Sequence, residues 1–139
     1  MLLEITETIA MADVARCLET LVRLRLKGFG LAIDDFGTGF SSLQQLERVP
    51  YTELKIDRSF VRGAAGQQRL RTVLESSVSI ARRLGLISVA EGVESRDDWA
   101  CLREVGCDVA QGYYIAKPMC GDEILPWMES WRRHDTTAR

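Results

Sequence analysis

The chain has 139 residues, and its 46% apolar and 27% charged share is that of one ordinary globular domain able to bury a substantial core. Eighteen basic against twenty acidic residues leave a net charge of −2, which gives no basic footprint for a nucleic-acid polymer. No apolar run approaches the roughly 20 residues of a membrane span, and no basic stretch followed by an apolar core marks a signal peptide.

Cys17, Cys101, Cys107 and Cys120 form no C-x-x-C pair, and the only histidine, His134, lies in a polar tail. That spacing argues against a Cys/His zinc site and against histidine-based acid–base or triad chemistry. Reduced thiols in a cytoplasmic protein are expected.

Residues 1–6 read as a short strand, with Glu4 and Glu7 at or just beyond its end. Val14, Cys17, Leu18, Leu21, Leu24 and Leu26 recur mostly at helical spacing and predict a helix over 13–27, closed by Gly28. The run Leu31-Ala32-Ile33 predicts a buried parallel strand that ends on Asp34 and Asp35. A Gly-Thr-Gly turn at 37–39 follows, then a short helix carrying Leu43 and Leu46. Pro50 marks a break before a strand over 52–57, and a looser linker covers 63–66. The next helix holds Leu70, Val73, Leu74, Ser77, Val78, Ala81 and Leu84 on one face and ends at Gly85. A fourth strand, 86–90, delivers Glu91-Gly92-Val93-Glu94. Ser95 and Asp98 frame a capping box for a helix that turns Trp99 and Leu102 inward and stops at Gly106. A fifth strand, 108–110, delivers Gln111-Gly112-Tyr113-Tyr114. The last helix starts near Asp122, with Pro126 in its first turn. The domain is expected over 1–132, with a polar tail at 133–139.

Strand–helix alternation repeated five times means a parallel sheet with right-handed crossovers. Glu4, Asp34, Asp35, Lys55, Glu91 and Gln111 all fall in or just after the C-terminal part of a strand. That is the edge where α/β sheets and (β/α)₈ barrels build their sites. Two adjacent carboxylates raise each other's pKa unless a cation joins them, and a hard divalent ion such as Mg²⁺ or Mn²⁺ suits oxygen ligands. Neighbouring side chains on a regular strand point to opposite faces. Asp34 and Asp35 are therefore expected to share a site only where the strand ends and the chain turns at Gly37 and Gly39. Taken alone, this stretch reads equally as a solvated loop in which one Asp caps the next helix. Polar groups at the ends of five strands favour the site.

Lys55, between Leu54 and Ile56, is either an outer-face lysine that snorkels to water or a cation held by the rim carboxylates. In this company the second reading is favoured, with the ammonium ready to orient a water or neutralise a phosphate. Glu94 is read as supporting its turn or the next helix N-terminus. Asp57 is read as pairing with Arg58 or capping a chain reversal. Tyr113 and Tyr114 are read as packing, and Trp99, Trp127 and Trp131 as core or interface.

Five motifs occur in order: Glu4-Ile5-Thr6-Glu7, Asp34-Asp35-Phe36-Gly37-Thr38-Gly39, Leu54-Lys55-Ile56-Asp57, Ala90-Glu91-Gly92-Val93-Glu94 and Gln111-Gly112-Tyr113. Together, from about Leu2 to about Pro118, they closely resemble the later motifs of the EAL domain, the bacterial cyclic-di-GMP phosphodiesterase of second-messenger signal transduction. The resemblance implies a (β/α)₈-type TIM barrel that opens cyclic-di-GMP to linear pGpG with two Mg²⁺ or Mn²⁺ ions. It implies that Lys55, Glu91 and Asp34 carry the catalysis. Glu4 and Asp34 would ligate the first metal, and Asp34, Asp35 and Glu91 the second. Gln111 would reach the second metal through water, and Lys55 would contact the attacking water. Glu7 would brace the loop from Asp35 to Ser42, with Glu94 a further support.

The Glu-Ala-Leu tripeptide that names the family, and a later asparagine ligand, have no counterpart here; Glu123-Ile124-Leu125 is only superficially similar. A whole barrel needs roughly 200–250 residues. The expected fold is thus an incomplete TIM-type barrel of the α/β class, with about five βα units. The chain is expected to be a fragment, a truncated product, or a half-barrel completed by its missing N-terminal half or by a second copy in a homodimer. With two first-metal ligands absent, it is expected to be a weak or inactive phosphodiesterase by itself. The alternative is a catalytically inactive EAL-like module that acts through a protein partner or by binding the nucleotide.

Overall fold

Short apolar runs alternate with amphipathic segments along the chain, and in the computed structural model they become parallel strands separated by helices. Residues 1–6, 14–37 and 43–136 are described. The strands are β1 (Leu2–Thr6), β2 (Gly30–Phe36), β3 (Glu53–Ile56), β4 (Ile87–Ala90) and β5 (Val109–Ala110). They pair in sequence order, every pair parallel. The helices are α1 (Val14–Leu26), α2 (Leu43–Arg48), α3 (Arg58–Val61), α4 (Gln68–Arg83), α5 (Arg96–Val105) and α6 (Ile124–Thr136), the last entered through a 3₁₀ turn, Gly121–Glu123.

Three helices hand the chain to the next strand in the same way. Phe29 N–H donates to Leu24 O, Leu86 N–H to Ala81 O and Cys107 N–H to Leu102 O, each past a glycine that closes the helix. Side chains also tie short neighbouring strands at their starts. Thr52 Oγ1 bonds both the N–H and the C=O of Leu31, and Asp108 takes hydrogen bonds from the Ser88 N–H and hydroxyl at 2.9 and 2.6 Å.

The register sorts residues between two faces. Leu31, Ile33, Leu54 and Ile56 are fully buried on the helix-covered face, in one core cluster with Leu74, Val78 and Ala81 of α4. Each such side chain contributes about 1.5–3 kcal/mol of burial. On the other face the same registers place Leu2, Ile87 and Val109, which are 39%, 45% and 45% exposed. Among the described residues β1 pairs only with β2, and β5 only with β4, so the sheet is open at both edges.

Several local expectations needed correction. Residues 58–61, assigned no element from the sequence, form α3, and Asp57 caps it in line with its expected capping role, its Oδ1 accepting from Ser59 N–H at 2.9 Å. The last helix runs to Thr136, past Arg132. Trp131 anchors it, packing edge-on against Trp99 and Tyr114 and stacking on Trp127. Tyr114 packs as expected, whereas Tyr113 is 63% exposed. All four cysteines are free thiols.

Candidate metal centre

The site is built at the C-terminal ends of β1 to β4. Glu4 pairs in register with Ala32, Ala32 with Glu53, and Lys55 with Val89. Because side chains alternate, Glu4, Asp34, Lys55 and Glu91 stand on one face, opposite the helices. Glu91 extends the ladder by one step, its N–H donating to Ile56 O at 3.1 Å.

Asp34 and Asp35 come together differently from the expectation. The strand does not stop at Asp34 but continues to Phe36. The pairing with β3 slips between Ile33 and Phe36, and Asp35 has φ 56°. A bulge of this kind re-aims a side chain that a regular strand would send to the opposite face. The left-handed conformation costs of order 1 kcal/mol or more, and Asp tolerates it better than most residues. Carboxylate oxygens of Asp34, Asp35 and Glu91 consequently lie within 4.8 Å of one another.

Lys55 sits at the centre. Its side chain is 8% exposed, and Nζ lies 2.8 Å from Glu4 Oε1, 3.1 Å from Asp34 Oδ1 and 2.6 Å from Glu91 Oε1. Burial alone would lower the lysine pKa. Its bonds to Glu4 and Glu91 and its contact with Asp34, with the Glu91 charge, outweigh that and hold it above the ordinary lysine value. Lys55 is therefore favoured as a cation by these carboxylates and is turned into the rim rather than out to water.

Asp34 Oδ1 tests whether the residues suit a metal. The atom is buried, lies 3.1 Å from the Lys55 ammonium and makes no hydrogen bond of good geometry among the described residues. An ion pair alone leaves a buried carboxylate oxygen under-coordinated, and a divalent cation would complete its coordination. Hard oxygen donors from three carboxylates within 4.8 Å fit a divalent ion of the Mg²⁺, Mn²⁺ or Ca²⁺ type.

The remaining candidates divide. Glu94 lies apart from the carboxylate trio and pairs with Arg62 at 2.8 Å, bracing the turn after β4 against the one after α3. Gln111 is exposed just beyond β5; its N–H donates to Ala90 O and its C=O accepts from Val93 N–H. Glu7 and residues 38–42 of the glycine loop lie outside the described residues.

Sequence reasoning missed the packing that fixes the rim. Gly92, at φ 69°, lies against Arg58, and a Cβ there would overlap the Arg58 Cβ. A Cβ on Gly112 would lie 2.7 Å from the Val93 carbonyl carbon and closer still to its N and O. Only glycine lets these backbones approach. Asp98, expected to complete the capping box, does so and also accepts from Gly63 N–H at 3.1 Å. The glycines directly after Glu91 and Gln111 were the available signal.

A parallel βα sheet that gathers carboxylates around a lysine at its C-terminal rim defines a barrel-type α/β protein with an acidic strand-end site. Residues 1–118 match the EAL domain family, and the chain belongs to that family. It is 48% identical over 124 residues to the cyclic di-GMP phosphodiesterase RocR of Pseudomonas aeruginosa, covering 89% of this chain and 32% of that protein. It superposes at TM-score 0.82 and 41% identity on the MucR phosphodiesterase of the same organism in complex with c-di-GMP, covering 88% of this chain and 50% of that one. It superposes at 0.78 and 36% identity on Klebsiella pneumoniae BlrP1 in a manganese and cyclic-di-GMP complex, covering 84% and 30%. The chain thus spans half or less of the length of these relatives. The TIM-barrel-like fold of such domains accounts for the open five-stranded sheet.

Proposed function

We propose that Glu4, Asp34, Asp35, Lys55 and Glu91 form the acidic, lysine-bearing part of the site of a divalent-metal-dependent phosphodiesterase that hydrolyses cyclic-di-GMP to pGpG. The observation that carries the reading is the carboxylate trio at the strand ends, with the Lys55 ammonium beside it and paired to Asp34 and Glu91. RocR and MucR bear the name of that activity, and BlrP1 binds manganese with cyclic-di-GMP.

Asp34, Asp35 and Glu91 would hold a Mg²⁺ or Mn²⁺ ion, Glu4 and Asp34 would contribute to a second, and Gln111 would reach through water. Such ions lower the pKa of bound water and stabilise charge on a phosphate. Lys55 is placed to orient a water or to neutralise a phosphate oxygen. In the net reaction, water oxygen joins phosphorus, one P–O ester bond breaks, and the leaving oxygen takes up a proton.

The family's Glu-Ala-Leu glutamate has no match in this sequence, which contains no asparagine at all. That favours a second reading, binding without turnover, for the chain on its own. The open sheet edges and the exposed Leu2, Ile87 and Val109 support closure by a second copy. No helix among the described residues is long and apolar enough to cross a membrane.

A chimera separates the readings. Residues 1–118 replace the matching segment of RocR, and pGpG release is assayed with Mn²⁺. Turnover that Asp34→Ala abolishes supports the proposal; a folded chimera that binds cyclic-di-GMP without cleaving it establishes the second reading instead. The chain alone is expected to turn over poorly, since reacting groups misplaced by about 1 Å can cost on the order of a hundredfold.

A further inference from the structure

Lys55 is held by carboxylates of Glu4 on β1, Asp34 on β2 and Glu91 just after β4. An ammonium has three donors and no more, and here all three acidic partners are protein groups. Glu4, Asp34, Asp35 and Glu91 bring four negative charges against this one positive charge, a local balance of −3. Two of the lysine's partners, Asp34 and Glu91, also belong to the trio whose oxygens lie within 4.8 Å. An ammonium and a divalent ion that draw on the same two half-buried carboxylates repel each other at short range.

We infer that Lys55 competes with the divalent ion for Asp34 and Glu91. The ammonium is the built-in counter-cation of these carboxylates, and an ion binds by taking both from it. That exchange frees the lysine's donors, so a bound metal and a lysine able to hold water or phosphate arrive together. One divalent ion brings the local balance to −1 and a second to +1, the sign that suits an anionic phosphodiester. The inference deepens the proposed function and rests on its cation site. A lysine that merely props the carboxylates in place predicts the opposite effect on metal affinity, since its loss would let them splay.

The test is a Mn²⁺ titration of the full chain, following the EPR signal of free Mn²⁺. The native protein is compared with Lys55→Met, Lys55→Gln and, as a blank, Asp34→Ala. Both lysine variants are expected to bind at least about tenfold more tightly than the native chain. Native binding with neither variant tighter overturns this inference alone. No native binding above the Asp34→Ala blank overturns the cation-site reading and the inference with it. Where a variant does not melt cooperatively in EDTA, its folding is followed as Mn²⁺ is added. Recovery supports the exchange; no recovery at millimolar Mn²⁺ overturns it, because the ion then cannot replace the ammonium.

Discussion

Gly112→Ala probes the close approach that fixes the rim between β4 and β5. A new Cβ would stand 2.7 Å from the Val93 carbonyl carbon, whereas carbon atoms in contact prefer about 3.5–4.0 Å. The two backbones must separate by roughly 1 Å, and Val93, itself fully buried, has no room to retreat. Separation breaks two main-chain bonds, Val93 N–H to Gln111 O at 3.1 Å and Tyr114 N–H to Val93 O at 3.0 Å. Each lost bond that leaves a buried group unsatisfied costs about 1–3 kcal/mol. The expected destabilisation is therefore about 3 kcal/mol or more, a large part of a total stability of about 5–15 kcal/mol. Urea unfolding followed by tryptophan fluorescence measures it. Gly121→Ala, where a Cβ meets nothing within 4 Å, is the control and should stay within about 0.5 kcal/mol. A Gly112→Ala protein as stable as that control would refute the argument that glycine is required here.

Tyr51 is buried with a hydroxyl that has no hydrogen-bond partner among the described residues, so Tyr51→Phe is expected to be neutral or stabilising by up to about 1 kcal/mol; a loss of more than that would contradict this. The Ser88 hydrogen bonds hold the Asp108 carboxyl below its ordinary value. A depressed folded-state pKa contributes stability above the unfolded value of about 3.9 and loses it as pH falls through the folded value. The stability gap between the native chain and Asp108→Asn should therefore shrink on acidification below about pH 4, and a gap independent of pH would contradict it. Light scattering at micromolar concentration should report a dimer or larger, given the open sheet edges and exposed inner face; a cooperative, well-behaved monomer would count against closure by a second copy.

Hydrophobic periodicity and glycine punctuation made the five βα units legible in the sequence, because three helices close on Gly28, Gly85 and Gly106 and the strands are short, largely apolar runs. The site was legible to the extent that it follows from strand ends: Glu4, Asp34, Lys55 and Glu91 share a face through the period of two and the register. How Asp35 joins them was not legible. A bulge depends on the pairing of β2 with β3, a long-range property that the local Asp-Asp-Phe-Gly pattern does not carry. The Arg58–Gly92 and Val93–Gly112 approaches escaped for the same reason, since a glycine in sequence does not say which backbone passes it. The short α3 could have been found from Asp57 and its bond to Ser59 N–H.

The central claim is that strand-end carboxylates here make a divalent-cation site. The most direct measurement is an anomalous difference map at the manganese edge from crystals of the chain grown or soaked in Mn²⁺. The expected result is a peak ligated by oxygens of Asp34, Asp35 and Glu91, with Lys55 Nζ withdrawn from at least one of the carboxylates it now contacts. A map with no peak among those oxygens, and with Lys55 still seated on Glu91 and Asp34 at saturating Mn²⁺, would contradict it.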